Sequence, residues 1–175
     1  MRTSNRRDGK LRMATAALPM QLQFSVLGAA QPMGSKRAFV PKGWTRPILT
    51  DSNRNLKSWQ QLVRHAANDA IYQLPASERG LLLEGVRVSV AFYMPRPKGL
   101  PKRRTAHLKA PDIDKCLRGV LDAITGVVFR DDSQVVDVIA MKRYAREGEP
   151  PHVDVWIAST AGVEMVPRDQ PLFAG

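Results

Sequence analysis

The 175-residue sequence has a single cysteine, Cys116, so it holds no intrachain disulfide framework and no cysteine-based zinc site. Its three histidines, His65, His107 and His152, are scattered without the spacing of metal ligands. Both shortages suit a reducing, intracellular setting, cytoplasmic or nucleoid-associated. No apolar run approaches the roughly 18 residues that a membrane span requires, and no basic amphipathic stretch ends in Trp or Phe anchors. No membrane partner is therefore expected. Acid is scarce as well: 16 Asp and Glu stand against 27 Lys and Arg, a net charge of +11. A field of that sign concentrates polyanions, which makes nucleic acid the leading partner class. The first residues, Met1 to Ala17, carry Asp8 as their one acid and no hydrophobic signal core. They read as a flexible basic extension, or as sequence ahead of a start at Met13 or Met20, more simply than as a transit segment.

Alternation and helical spacing organise what remains. Met20–Val26 sets Leu22, Phe24 and Val26 against polar neighbours, a half-buried strand. A Gly/Pro/Ser loop follows, then Lys36 and Arg37, and a short strand is possible within residues 41–50. A helix beginning near Ser52–Asn55 places Leu56, Trp59, Val63, Ala66, Ala67, Ala70 and Ile71 on one side. Val86–Met94 alternates again and stops at Pro95 and Pro97. After Pro111, the residues Ile113, Cys116, Leu117, Val120, Leu121 and Ile124 form the stripe of a second helix that Gly126 ends. Ser133–Lys142 reads as a largely buried strand. His152–Ile157 reads as a last strand, joined to it in an antiparallel hairpin.

The expected fold class is α/β or α+β: a mixed sheet with two main helices packed on it, in a single domain over residues 20–158. Residues 1–19 and 159–175 are expected to be tails. Trp59, Trp156, Phe129 and Cys116 are assigned to the core, and Trp44 is left open.

The chemistry concentrates at the second helix. Asp112 and Asp114 open it, Arg118 lies one turn beyond Asp114, and Asp122 one turn further. A second acidic pair, Asp131–Asp132, stands where the chain re-enters the sheet. Acids at helix starts and turns commonly cap N–H groups and complement the helix dipole, for about 0.3–1 kcal/mol. In a protein of net charge +11, however, clustered acids beside a basic loop make sense as holders of a hard divalent cation. Mg²⁺ takes carboxylate and water oxygens and shares substrate phosphate.

The run PDIDKCLRGVLDAITGVVFRDDSQVVDV resembles the signature of the RusA family of Holliday-junction resolvases: a D-x-D opening a helix, then an acidic pair a helix and a turn later. The likeness is strongest over residues 109–138 and extends loosely across most of Met20–Ile157. It implies a Mg²⁺-dependent endonuclease, with Mn²⁺ as a substitute, that makes paired cuts in four-way DNA junctions as a homodimer during recombination and repair. Cellular, phage and prophage origins all remain open. The family's metal-binding acids fall on Asp112, Asp114 and Asp132. Its functional lysine four residues after the second acid is replaced by Arg118, and the residue after that acid, usually asparagine, is Lys115. Arginine stays protonated, so Arg118 can steady phosphate charge but cannot act as a general base. Lys109 is a stand-in for the missing amine. These departures keep alive the alternative of a branched-DNA binder that no longer cuts.

Residues 96–109 contain Lys102, Arg103, Arg104 and Lys109 and no acid, and are expected to contact the DNA backbone together with Lys36, Arg37 and Lys115.

Overall fold

The computed structural model describes residues 21–34, 36–51 and 53–161; the basic extension and all but the start of the C-terminal tail lie outside them. Strands β1 (Gln21–Leu27), β4 (Val86–Met94), β5 (Val135–Tyr144) and β6 (His152–Ser159) form one mixed sheet in the order β1-β6-β4-β5. Strands β2 (Lys36–Phe39) and β3 (Ile48–Asp51) make a separate two-stranded ribbon. Helices α1 (Leu56–Gln73) and α2 (Ile113–Ile124) lie against each other on one face of the four-stranded sheet. The α+β arrangement expected from the sequence is the one observed.

Alternation explains the sheet. Leu22, Phe24 and Val26 of β1, Val86, Val88, Val90, Phe92 and Met94 of β4, and Val153, Val155 and Ile157 of β6 all point to the helices. There they meet Leu56, Trp59, Val63 and Ala67 of α1 and Cys116, Val120, Ala123 and Ile124 of α2. Phe129 is fully buried, so it belongs to the core. A Phe129→Ala cavity in such a site typically costs about 3–5 kcal/mol. Gly126, at φ +75°, takes the left-handed conformation that ends α2.

Three expectations are corrected. The β5–β6 hairpin does not form: β5 pairs in parallel with β4, and β6 runs antiparallel between β1 and β4. The inward Val153, Val155 and Ile157 of β6 are at most 2% exposed, which suits a central strand, whereas β5 carries Asp137, Lys142 and Arg143 and takes the edge. For the same reason β5 is not largely buried; Val136, Val138, Ile139 and Met141 are exposed on it. Trp156 is not core either. It alternates with Val155 and Ile157, so it falls on the sheet's outer face at 37% exposure.

Candidate active site

Asp112 is the residue before the first turn of α2, in extended conformation, and its carboxylate makes no capping bond to the helix. It accepts a hydrogen bond from Lys115 Nζ at 3.0 Å instead. That bond, with the Asp112 charge, holds the Lys115 ammonium above the usual lysine range. Asp114 lies in the first turn and Arg118 one turn on, and both are exposed. The capping explanation thus fails for Asp112, and the D-x-D presents two carboxylates to solvent from the positive end of a helix dipole.

The second acidic pair divides its labour. The Asp131 carboxylate accepts from Ser133 N at 2.9 Å while its own N–H donates to Gln134 Oε1 at 3.0 Å, a capping box on the single 3₁₀ turn Asp132–Gln134. The Ser133 bonds hold Asp131 below the usual carboxylate range. Gln134 then ties this turn to the carbonyls of Leu82 and Glu84 at 3.0 and 2.9 Å. Asp132 takes no part in the box and is exposed.

One chain does not bring Asp132 to the other two acids. Pro111 and hence Asp112 lie beside Lys142, near the end of β5, whereas Asp132 immediately precedes its start. From Val135 to Lys142 is seven steps of extended chain, about 23 Å. Among the described residues, no three His, Cys, Asp or Glu side chains gather where a metal could bind. Asp112 and Asp114 nevertheless have the right donor chemistry for Mg²⁺, which is commonly held by one or two carboxylates with water and phosphate completing its shell.

Sequence reasoning missed Lys142. It sits on the helix-facing side of β5, and its Nζ donates to the carbonyls of Lys109 and Pro111 at 2.8 and 2.6 Å. These flank the cis Ala110–Pro111 peptide, so Lys142 tethers the approach to Asp112. It stands opposite Phe92 in the parallel β4–β5 register, and a lysine beneath a helix makes sense once its partner carbonyls are known. Replacing Lys142 by Met should lower unfolding free energy by about 1–2 kcal/mol, the scale of the lost hydrogen bonds from its charged amine, measured by urea denaturation. A Lys142→Met protein as stable as the parent would show that the tether is not significant.

The basic residues are placed unevenly. Arg103 and Arg104 are exposed in the loop after β4, with Lys109 where that loop approaches α2. Lys102 pairs with Glu147 at 2.7 Å in an exposed contact. The loop is held by Arg96, whose guanidinium donates to the carbonyls of Pro101, Lys102 and Arg104 at 2.9, 3.2 and 3.2 Å. Lys36 and Arg37 belong to β2, and their side chains lie outside the described residues. Cys116 is fully buried under α2, which pushes its thiol up to about 11; it is an inert packing residue.

The D-x-D is thus exposed at the mouth of α2 in an α+β domain on a chain of net charge +11. The chain belongs to the RusA family: the family described as Endodeoxyribonuclease RusA matches residues 29–158. It is also 35% identical over 146 residues to the uncharacterized protein YqaN of Bacillus subtilis (strain 168), a match covering 78% of this chain and 94% of that protein. Among the described residues, no helix is long and apolar enough to cross a membrane.

Proposed function

We propose that this chain is a Mg²⁺-dependent endonuclease that resolves four-way DNA junctions as a C₂ homodimer. Each active centre would combine Asp112 and Asp114 of one protomer with Asp132 of the partner subunit. The observation that carries this reading is the D-x-D itself: two exposed carboxylates, Asp112 free of any capping duty, on a chain of net charge +11 and of the RusA family. The dimer is supported by the separation of the acids. A two-fold axis through the middle of β5 exchanges the strand's two ends, so one chain's Asp132 meets the other's Asp112. Strand β5 is suited to that role because it is an edge with Val136, Val138, Ile139 and Met141 exposed.

When bound, Mg²⁺ supplies Lewis-acid polarisation of the phosphoryl oxygen and acidifies the attacking water. Asp112 and Asp114, with Asp132 of the partner subunit, would hold the cation. Arg118, one turn behind Asp114, donates its fork of N–H groups to the non-bridging oxygens and stabilises the charge that builds there. Lys109, Arg103 and Arg104 neutralise flanking phosphates, which gives affinity that falls with salt and carries little sequence information. Two such centres make the paired cuts.

A second reading, binding without cutting, draws on the Lys115 Nζ that occupies Asp112 at 3.0 Å where a cation would sit. One assay separates them. In Mg²⁺, a labelled four-way junction should receive symmetric paired nicks while linear duplex stays intact. Tight junction binding with no nicks in Mg²⁺ or Mn²⁺ would favour the binder and sink the resolvase.

A further inference from the structure

Beside the D-x-D lies a cavity of about 820 Å³ that the proposed chemistry leaves unused. It opens onto Asp112 and Lys115, and its walls come from the loop after β1, the end of β4 and the segment leading into α2. The lining mixes apolar side chains, Pro32, Met33, Met94 and Pro95, with the polar Gln31, Asn53 and His107.

The cavity is braced before any ligand arrives. Asn53 Nδ2 donates to Gln31 Oε1 at 3.3 Å and to the Pro32 carbonyl at 3.0 Å. Met33 N donates to the Lys115 carbonyl at 2.9 Å, pinning the loop to α2. Gly119 permits that approach, for a Cβ there would stand 3.0 Å from the Gln31 carbonyl oxygen. His107 packs edge-on against Tyr144 with ring centroids 4.6 Å apart. Its Nδ1 is buried with no hydrogen-bond partner among the described residues, so the rest of the ring is what lines the cavity. Burial and the nearby Lys142 charge hold His107 below the ordinary histidine range.

We propose that this cavity receives an unstacked nucleobase from the strand being cut, adjacent to the scissile phosphate, and that His107 contributes to choosing which base. The inference rests on the nuclease reading above. Asp112 forms part of the lining, so the cavity adjoins a phosphate held there. A base has apolar faces for the proline and methionine side chains and a polar edge for the polar groups of the lining. A volume of this order admits a nucleoside, and a preformed wall means little ordering is lost on binding.

The test uses four-way junctions carrying 2-aminopurine at the nucleotides flanking the cut, titrated in EDTA so that nothing is cleaved. The full chain should raise fluorescence at one flanking position at least about 5-fold, as the base leaves the stack. Cleavage in Mg²⁺ of junctions differing only in that base should span at least about 10-fold, the scale of one good polar discrimination. Ala29→Leu, which narrows the cavity from its half-buried wall, and His107→Leu should each abolish the rise and compress the span below about 3-fold, with junction affinity in EDTA kept within about 2-fold. A parent protein that binds and cuts junctions with no fluorescence rise and no base preference overturns the cavity assignment alone. So does a rise retained in both variants. A parent that neither binds nor cuts junctions overturns the nuclease reading and this inference together.

Discussion

A mixed dimer of Asp114→Asn and Asp132→Asn chains should nick a four-way junction that neither homodimeric variant can cut. If each centre takes Asp112 and Asp114 from one protomer and Asp132 from the other, the mixed dimer has one centre with both lesions and one with none. It should cut one strand at close to half the parental rate. If each centre were built within a chain, both centres of the mixed dimer would carry a lesion and nothing would be cut. The two chains, differently tagged, are co-expressed and the doubly tagged species purified before assay on a labelled junction in Mg²⁺. Single-strand nicking supports the shared centre; an inert mixed dimer, beside a parent that cuts, refutes it. The physical basis is the roughly 23 Å of extended chain between the start of β5 and Lys142, a gap that side chains do not span.

The other large effect concerns Asp114 itself. Asp114→Asn removes a charged oxygen ligand while keeping the side chain's shape, and should reduce cleavage on the order of 10³-fold. That corresponds to about 4 kcal/mol of transition-state stabilisation at 1.36 kcal/mol per tenfold. Junction affinity in EDTA should hold or improve slightly, because one negative charge near the phosphates is gone. The neighbouring pair supplies the contrast. Asp131→Asn should cut within about 3-fold of the parent, since asparagine caps a turn about as well as aspartate and Asp131 spends its carboxylate on Ser133. Equal losses from Asp131→Asn and Asp114→Asn would undo the division of labour drawn here, as would an Asp114→Asn protein that still cuts normally. Single-turnover cleavage on saturating enzyme separates these cases from changes in binding.

Much of this molecule was legible as pattern. Strand β4 runs over Val86–Met94 as its alternation predicts, and α2 follows its stripe to Ile124 and stops at Gly126. These elements are local: side-chain period and turn residues determine them within a few residues of chain. The D-x-D was legible for the same reason, because two carboxylates one residue apart at a helix mouth stay together in any fold. Periodicity suggests a core place for Trp156, but it alternates with Val155 and Ile157 and so stands on the opposite face of the sheet.

What pattern left open was the pairing of strands and the distance between motifs. Strand β6 passes over its chain neighbour β5 to lie between β1 and β4, a choice made by burial of Val153, Val155 and Ile157 against both helices. Lys142 became meaningful only when the parallel β4–β5 register set it under the carbonyls of Lys109 and Pro111. The cavity beside Asp112 draws its walls from stretches as far apart as Gln31 and His107. The sequence by itself determined the charge, the helices and strands, and the identity of the acids, because each is set by composition or by residues a few positions apart. Tertiary structure alone decided that Asp112 and Asp132 stand at opposite ends of one strand, because strand order follows from the packing of a shared core, and no local period encodes it.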